Sequence, residues 1–318
     1  MIMPADKSFE QLKQILASGK LAGSWLITGP FGVGKSTIVR RFVSYLLTGD
    51  ETPLDFHGDL KWIERDYTEE EKKDIIQTLN SGRALDPDSE QSRAKKAEIT
   101  IDDIRSGIQF LSLTSANQNW RVMVIDSADD MNENAANALL KLLEEPPAHT
   151  VIFLISHNMG KLLPTIRSRC RQIMVSPLSD PLMKGFILEH YPQAQNIDAL
   201  LSFFDGSIGK CKNFFENNGV EIYQKMLQFS ENPLTKIGAI MDFADKVAKD
   251  EKLYALVKDL LLFLLFSLAK DPNIDKDKRD QYLDQWSQIN ALLKDMENLY
   301  LDKKSVIAQV FLKLGIKK

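Results

Sequence analysis

The sequence predicts an α/β domain with a mainly parallel sheet, followed by a small helical domain and a larger all-α domain. Three observations lead there. Between Trp25 and Val175 short apolar runs alternate with amphipathic stretches of helical period, and strands joined through helices pair in parallel by right-handed crossovers. A glycine-rich run, Gly29 to Ser36, joins one such strand to one such helix, and beyond Pro177 no strand pattern recurs. The expected boundaries are 1–178, 179–218 and 219–318.

Taken in order, residues 8–20 place Leu12, Ile15 and Leu16 at helical spacing, with Gly19 able to end the helix. Trp25 to Thr28 is an apolar strand, and Ile38 to Leu47 resumes a helical pattern. Residues 66–98 are charge-dense and read as a solvated excursion. Thr100 or Asp102 can cap a helix carrying Ile104, Ile108 and Leu111, and Arg121 to Ile125 is a near-continuous apolar strand. Asn132 or Asn134 can cap the next helix, where Ala135, Leu139, Leu142 and Leu143 share a face until Pro146-Pro147 stop it. Strands follow at Thr150–Ser156 and Gln172–Val175. Pro181–His190, Ile197–Phe204 and Gly209–Asn217 suggest small helices, and the rest of the chain four or five longer ones.

Composition narrows the class. With 318 residues, 44% of them hydrophobic and 26% charged, the chain is long and apolar enough for two or three domains with real cores. Two cysteines, Cys170 and Cys211, exclude a disulfide scaffold and a four-cysteine zinc site, and point to a reducing, cytoplasmic setting with both thiols buried. Met1 to Ser18 lacks the apolar core of a signal peptide, and Leu260–Ala269 is too short for a membrane span. A net charge of -4 argues mildly against a direct nucleic-acid binder.

Gly29-Pro-Phe-Gly32-Val-Gly34-Lys35-Ser36 matches GxxxxGK[ST] in the setting its mechanism demands, between a strand and a helix. The glycines let backbone N–H groups converge on phosphate oxygens, and the helix N-terminus adds partial positive charge. Lys35 is placed to reach the β- and γ-phosphates, Ser36 to hold Mg²⁺, and Thr37 to line the entrance. ATP or ADP with Mg²⁺ is the implied ligand. Val122 to Asp126 is the strand expected to end in a magnesium-side carboxylate, and Asp126 supplies it, so Ser36 and Asp126 form the metal side. Where a hydrolysing enzyme would next carry a glutamate, this chain has Ser127. Binding without efficient hydrolysis is the direct reading.

Residues 161–170 read KLLPTIRSRC, with Arg167, Arg169 and Arg171 in alternation, and they follow LLKLLEEPP at 139–147. The whole stretch from Asp126 to Cys170 resembles bacterial clamp-loader subunits of the AAA+ superfamily, which serve DNA polymerase III; the likeness is strongest over 20–48 and 99–178. It implies an AAA+ phosphate-loop domain, a helical lid and an oligomerising all-α collar. It also implies that Arg169 of Ser168-Arg169-Cys170 acts in trans, as an arginine finger on ATP held by an adjacent gamma or tau subunit. The implied partners are gamma/tau and delta subunits, with the sliding clamp and primed DNA reached through the complex.

Three departures mark this chain. Ser127 replaces the catalytic glutamate, which fits a stationary subunit. The family's sensing arginine, in a Gly-Ser-x-Arg pattern, is replaced: Gly206-Ser207-Ile208 is followed by Gly209, with Lys210 one step later. Residues 49–98 contain no cysteine, so the zinc module of many relatives is missing. Ser156 or Asn158 falls where the family senses the γ-phosphate, while His57, His149, His157 and His190 have no metal spacing and read as structural or surface residues. Two rival readings remain: a hydrolysing gamma/tau-type ATPase using Asp129 or Asp130 as the missing base, and a free-standing phosphate-loop kinase.

Overall fold

The computed structural model describes residues 4–21, 23–54, 56–80, 96–112, 120–194, 197–231, 233–270, 274–299 and 301–313. The described chain divides into two compact units, one running to Gly209 and the other beginning at Lys210.

The first unit is built on five parallel strands, β1 (Gly23–Thr28), β2 (Leu60–Ile63), β3 (Arg121–Asp126), β4 (Thr150–Ser156) and β5 (Arg171–Met174), in the order β2-β3-β4-β1-β5. Side chains alternate across a strand, so each central strand feeds both faces. Trp25, Ile27, Val122, Val124, Val151, Phe153 and Ile155 pack with Phe9 and Leu12 of α1 (Pro4–Ala17) and with Ile38, Val39, Phe42 and Val43 of α2 (Lys35–Thr48). Leu26, Met123, Ile125, Ile152 and Leu154 face the other way. They pack with Ile104 and Leu111 of α4 (Ile101–Ser112), Leu139 and Leu143 of α5 (Glu133–Glu144), and Ile166 of α6 (Pro164–Arg169). Each such side chain, fully buried, contributes about 1.5–3 kcal/mol.

Local chemistry sets the element ends. Gly19 adopts φ +71° while the amide of Lys20 bonds back to the Ile15 carbonyl, closing α1. Asn132 caps α5 by accepting from the Ala135 amide at 2.9 Å. Thr100, not Asp102, precedes α4, and the carboxylate of Asp103 accepts from both its amide and its hydroxyl, at 2.8 and 2.7 Å.

The excursion is more ordered than its composition suggests. β2 precedes it as a sheet edge, its four residues mostly half-buried, too short for a visible alternation. A helix, α3 (Glu69–Asn80), runs through its first part with Ile76 57% exposed, while residues 81–95, with the DPDSE stretch, lie outside the described residues. The first unit ends with α7 (Asp180–His190), α8 (Ile197–Phe204) and the start of α9 (Ile208–Glu216).

The second unit continues α9 and adds α10 (Gly219–Glu231), α11 (Ile237–Lys249), α12 (Glu251–Ala269), α13 (Lys276–Leu299) and α14 (Lys303–Lys313). Phe229, Phe243 and Phe311 meet edge to face, with ring centroids 5.6–5.7 Å apart, tying α10, α11 and α14 together. The apolar run Leu260–Ala269 is the end of the packed helix α12, and no described helix is long and apolar enough to cross a membrane.

Candidate functional site

Parallel strands deliver their carboxyl ends to one edge of the sheet, and that is where the polar residues gather. The turn after β1 is the glycine-rich loop. Gly29, Gly32 and Gly34 have φ of +145°, +77° and +94°, a region costly for other residues. At Gly29 a Cβ would sit 2.2 Å from the Val175 carbonyl oxygen, so only glycine lets the loop pass β5. Val33 is buried in the core and anchors the loop from below.

α2 starts at Lys35, whose side chain folds back: Nζ donates to the carbonyls of Gly29 at 2.7 Å and Pro30 at 2.6 Å. Burial brings the ammonium down to about 8, against the opposing pull of Asp129 and Asp126. The Ser36 hydroxyl donates to Asp126 Oδ2 at 2.7 Å, joining loop to β3. Burial pushes the Asp126 carboxyl upward, partly offset by the Ser36 bond. Thr37 is exposed on the first turn of α2.

Asp129 and Asp130 lie on a short 3-10 turn after β3. Asp129 accepts from the Ser156 hydroxyl at 2.8 Å, from the His157 amide and from the Asn158 amide at 3.2 Å, so both its oxygens brace the end of β4. Asp130 pairs with Arg65 at 3.4 Å. Of the two sensing candidates, Ser156 is fully buried on Asp129, and the Asn158 side chain accepts from the Gly160 amide at 2.9 Å.

His157, between them, is the residue that sequence reasoning set aside. Its ring stands edge to face against Phe31 of the loop, 5.0 Å between centroids, and its buried Nδ1 has no hydrogen-bond partner among the described residues. Burial and the Lys35 charge lower its basicity, opposed by Asp129, Asp126 and Asp130. The available signal was positional: a histidine at the end of the strand beside β1.

Arg169 is held elsewhere. It closes α6, where Nε donates to Glu144 Oε1 at 2.7 Å, Nη1 donates to the Thr165 carbonyl at 3.0 Å, and Nη2 also pairs with Glu144. Glu144 ends α5, so a full helix of about 18 Å separates this pair from the turn that carries Asp129. Cys170, next in the chain, is buried with Leu162 and Ile166 and fixes the backbone behind the arginine. Arg171 lies over Trp25 and donates to the Lys20 carbonyl at 2.6 Å. Where a sensing arginine is expected, Gly209 instead gives its amide to the Gly32 carbonyl at 2.8 Å, while Lys210 faces Asp259 of α12 at 3.9 Å.

No group of three or more His, Cys, Asp or Glu side chains placed to hold a metal is found among the described residues. The Ser36 hydroxyl and Asp126 carboxylate are nonetheless hard oxygen donors at the mouth of an open-backbone loop. That donor set suits a magnesium ion arriving with polyphosphate.

Comparison with known proteins places this arrangement. Over 151 residues the chain is 34% identical to DNA polymerase III subunit delta' of Pseudomonas aeruginosa, covering 48% of this chain and 42% of that protein. Over 210 residues it is 27% identical to DNA polymerase III subunit gamma of Buchnera aphidicola, covering 63% and 52%. It thus spans about half the length of these curated relatives. The crystal structure of a DNA polymerase III gamma subunit-related protein from Thermotoga maritima shares the fold, with a TM-score of 0.55 at 18% identity over 97% of this chain and 98% of that one. A family model described as DNA polymerase III, delta subunit, matches residues 5–179, which takes in the loop, Asp126 and the Ser168-Arg169-Cys170 motif. The chain therefore belongs to the DNA polymerase III delta subunit family.

Proposed function

We propose that this chain is a delta-prime-type, stationary subunit of a cytoplasmic clamp loader, lending Arg169 in trans to ATP held by a neighbouring gamma or tau subunit. Residues 1–178 serve as the AAA+ domain, 179–218 as the lid and 219–318 as the collar that joins gamma/tau and delta. The sliding clamp and primer-template DNA are engaged through the complex, whose assembled surface supplies positive charge that this chain lacks. The observation that carries the reading is the composition of its own site. Ser127 follows Asp126 where a water-activating carboxylate would be needed, and Asp129 is committed to Ser156, His157 and Asn158.

Gly29, Gly32, Gly34, Lys35, Ser36 and Thr37 would hold ATP or ADP, with Ser36 and Asp126 on the Mg²⁺ side. The bound ion would neutralise phosphate charge. Lys35 spends two of its three N–H donors on the loop carbonyls and has a third for the phosphates, and the His157 ring offers a spare nitrogen beside Phe31. Arg169 is exposed and held by Glu144 and the Thr165 carbonyl, so a more highly charged anion can take it over from one carboxylate.

The test is turnover. The isolated chain should show no sustained ATPase, and Arg169→Ala in the reconstituted loader should lower DNA-stimulated ATPase while leaving assembly intact, since a trans arginine is worth about 10³–10⁵ in rate. Sustained turnover by the isolated chain, abolished by Lys35→Ala, would favour the gamma/tau-type ATPase instead. Failure to co-migrate with gamma/tau and delta under any nucleotide condition would favour a free-standing kinase.

A further inference from the structure

We propose that Glu144 is a positioning residue for Arg169: its carboxylate holds one edge of the guanidinium, so that the far end of the group faces outward toward the phosphoryl oxygens of a neighbour's nucleotide. This rests on the trans reading of Arg169 above and adds a second residue to it. Glu144 Oε1 alone accepts from Nε at 2.7 Å and from Nη2, which places the carboxylate along one edge of the planar group. The Thr165 carbonyl accepts from Nη1 at 3.0 Å and not from Nη2, which places it on the opposite edge, with the Ser168 hydroxyl oxygen at 3.4 Å from the same nitrogen. A guanidinium carries five N–H groups in a fixed plane. The short edge contacts take three of them, and one is left on each terminal nitrogen. Those two form the fork that meets a phosphate with paired bonds. An anion that takes Arg169 over therefore meets an oriented fork first.

Both residues sit on backbone that the core fixes. Glu144 is the last residue of α5, between Leu143 and the stop at Pro146-Pro147, and Arg169 is the last of α6, next to Cys170. Leu143, Ile166 and Cys170 belong to one buried cluster. The Ser168 hydroxyl donates to the Thr165 carbonyl at 3.0 Å and keeps that acceptor in place. The length of α5 separates the pair from the turn carrying Asp129, so this fork is not built for the chain's own nucleotide site. An ion pair with side chains 32% and 48% exposed contributes little to stability, so what these bonds supply is orientation. An arginine free to turn gives up its rotamer freedom when it meets the anion. Here that ordering is complete beforehand, and preorganised donors need no rearrangement as charge develops.

The experiment is a single-turnover quench of ATP hydrolysis by the reconstituted loader on clamp and primed DNA, with Arg169→Ala marking the phase that this chain assists. Glu144→Ala should slow that phase about tenfold at unchanged nucleotide affinity, the scale of a misoriented group, and should slow it no further when Arg169→Ala is already present. Because one oxygen accepts both bonds, Glu144→Gln should stay close to wild type, whereas Glu144→Asp, charged but one methylene short, should resemble Glu144→Ala. Each variant should keep its melting temperature within about 2 °C of wild type. Normal hydrolysis in Glu144→Ala overturns the positioning role and leaves the trans arginine standing. A rate that Asp restores and Gln does not would assign the effect to charge, and additive slowing in the double variant or a larger drop in melting temperature would assign it to structure; each overturns the proposal. No slowed phase in Arg169→Ala overturns the trans reading, and the proposal with it. Should Glu144→Ala fail to fold, the order of Gln above Asp decides, and its reversal or absence overturns the role.

Discussion

Asp129→Ala is the substitution whose cost can be worked most directly from the structure. The carboxylate accepts three hydrogen bonds, from the fully buried Ser156 hydroxyl and from the amides of His157 and Asn158. Bonds to a charged acceptor contribute about 1.5–3 kcal/mol each, and Asp129 is half-buried, so the low end applies to each of them. Water reaching the Asn158 amide offsets part of the loss, since that residue is exposed. The expected destabilisation is about 4 kcal/mol, confined to the first unit, and for a unit of this size it lowers the melting temperature by roughly 10 °C. Differential scanning calorimetry of the full chain should show the first unit's transition moving down while the second stays put. A shift below about 3 °C would refute the reasoning, because it would mean that solvent already shares these three donors.

The buried ammonium gives a pH signature. Between about pH 8, where folded Lys35 loses its proton, and its ordinary 10.5, the unfolded chain binds the proton that the folded chain has released. Stability should therefore rise with pH across that window, and Lys35→Met should flatten the rise in urea midpoints measured at pH 8 and pH 10. Cys170 and Cys211 are buried, with their thiols pushed up to about 12. Neither should react with iodoacetamide at pH 8 until the chain is unfolded, and mass spectrometry of the native protein should find both unlabelled. Asn132→Ala removes the cap on α5 and should cost about 1 kcal/mol, read as a lower urea midpoint, with Asn132→Ser recovering most of it.

The parts of the fold most legible in the sequence are those where a single local rule decides. β4 was readable to its ends because seven apolar or small residues in succession are buried on both faces. The α5 cap was readable because an asparagine sits ahead of an apolar period. β2 was not, since a four-residue edge strand is held by pairing with β3 and buries one of its residues. α3 was hidden for a related reason: its charges dominate the composition, and Ile76 faces solvent.

At the site, the loop motif located Lys35 and Ser36, and the strand-end rule located Asp126. What no local rule carries is how neighbouring side chains divide the available partners. Asp129 draws in Ser156, and Asn158 turns to Gly160, which leaves the intervening His157 facing Phe31. The return of Gly209 onto Gly32 likewise depends on two segments far apart in sequence meeting in space.

The two-sided burial of β3 has a consequence for how the sheet finds its pairing. In a strand with one wet face, a slip of one residue exposes apolar side chains and is rejected at once. In β3 the interchange would swap Val122 and Val124 with Met123 and Ile125, and neither face would notice a change of polarity. The pegs are at the ends. Arg121 is tied to the Phe110 carbonyl and paired with Asp59 at 3.6 Å, while Asp126 is tied to Ser36 at 2.7 Å. A slip in either direction would pull one charge into the interior. The carboxylate that faces the phosphate loop therefore also sets the alignment of β3, and a substitution there should be felt in folding before any ligand is added.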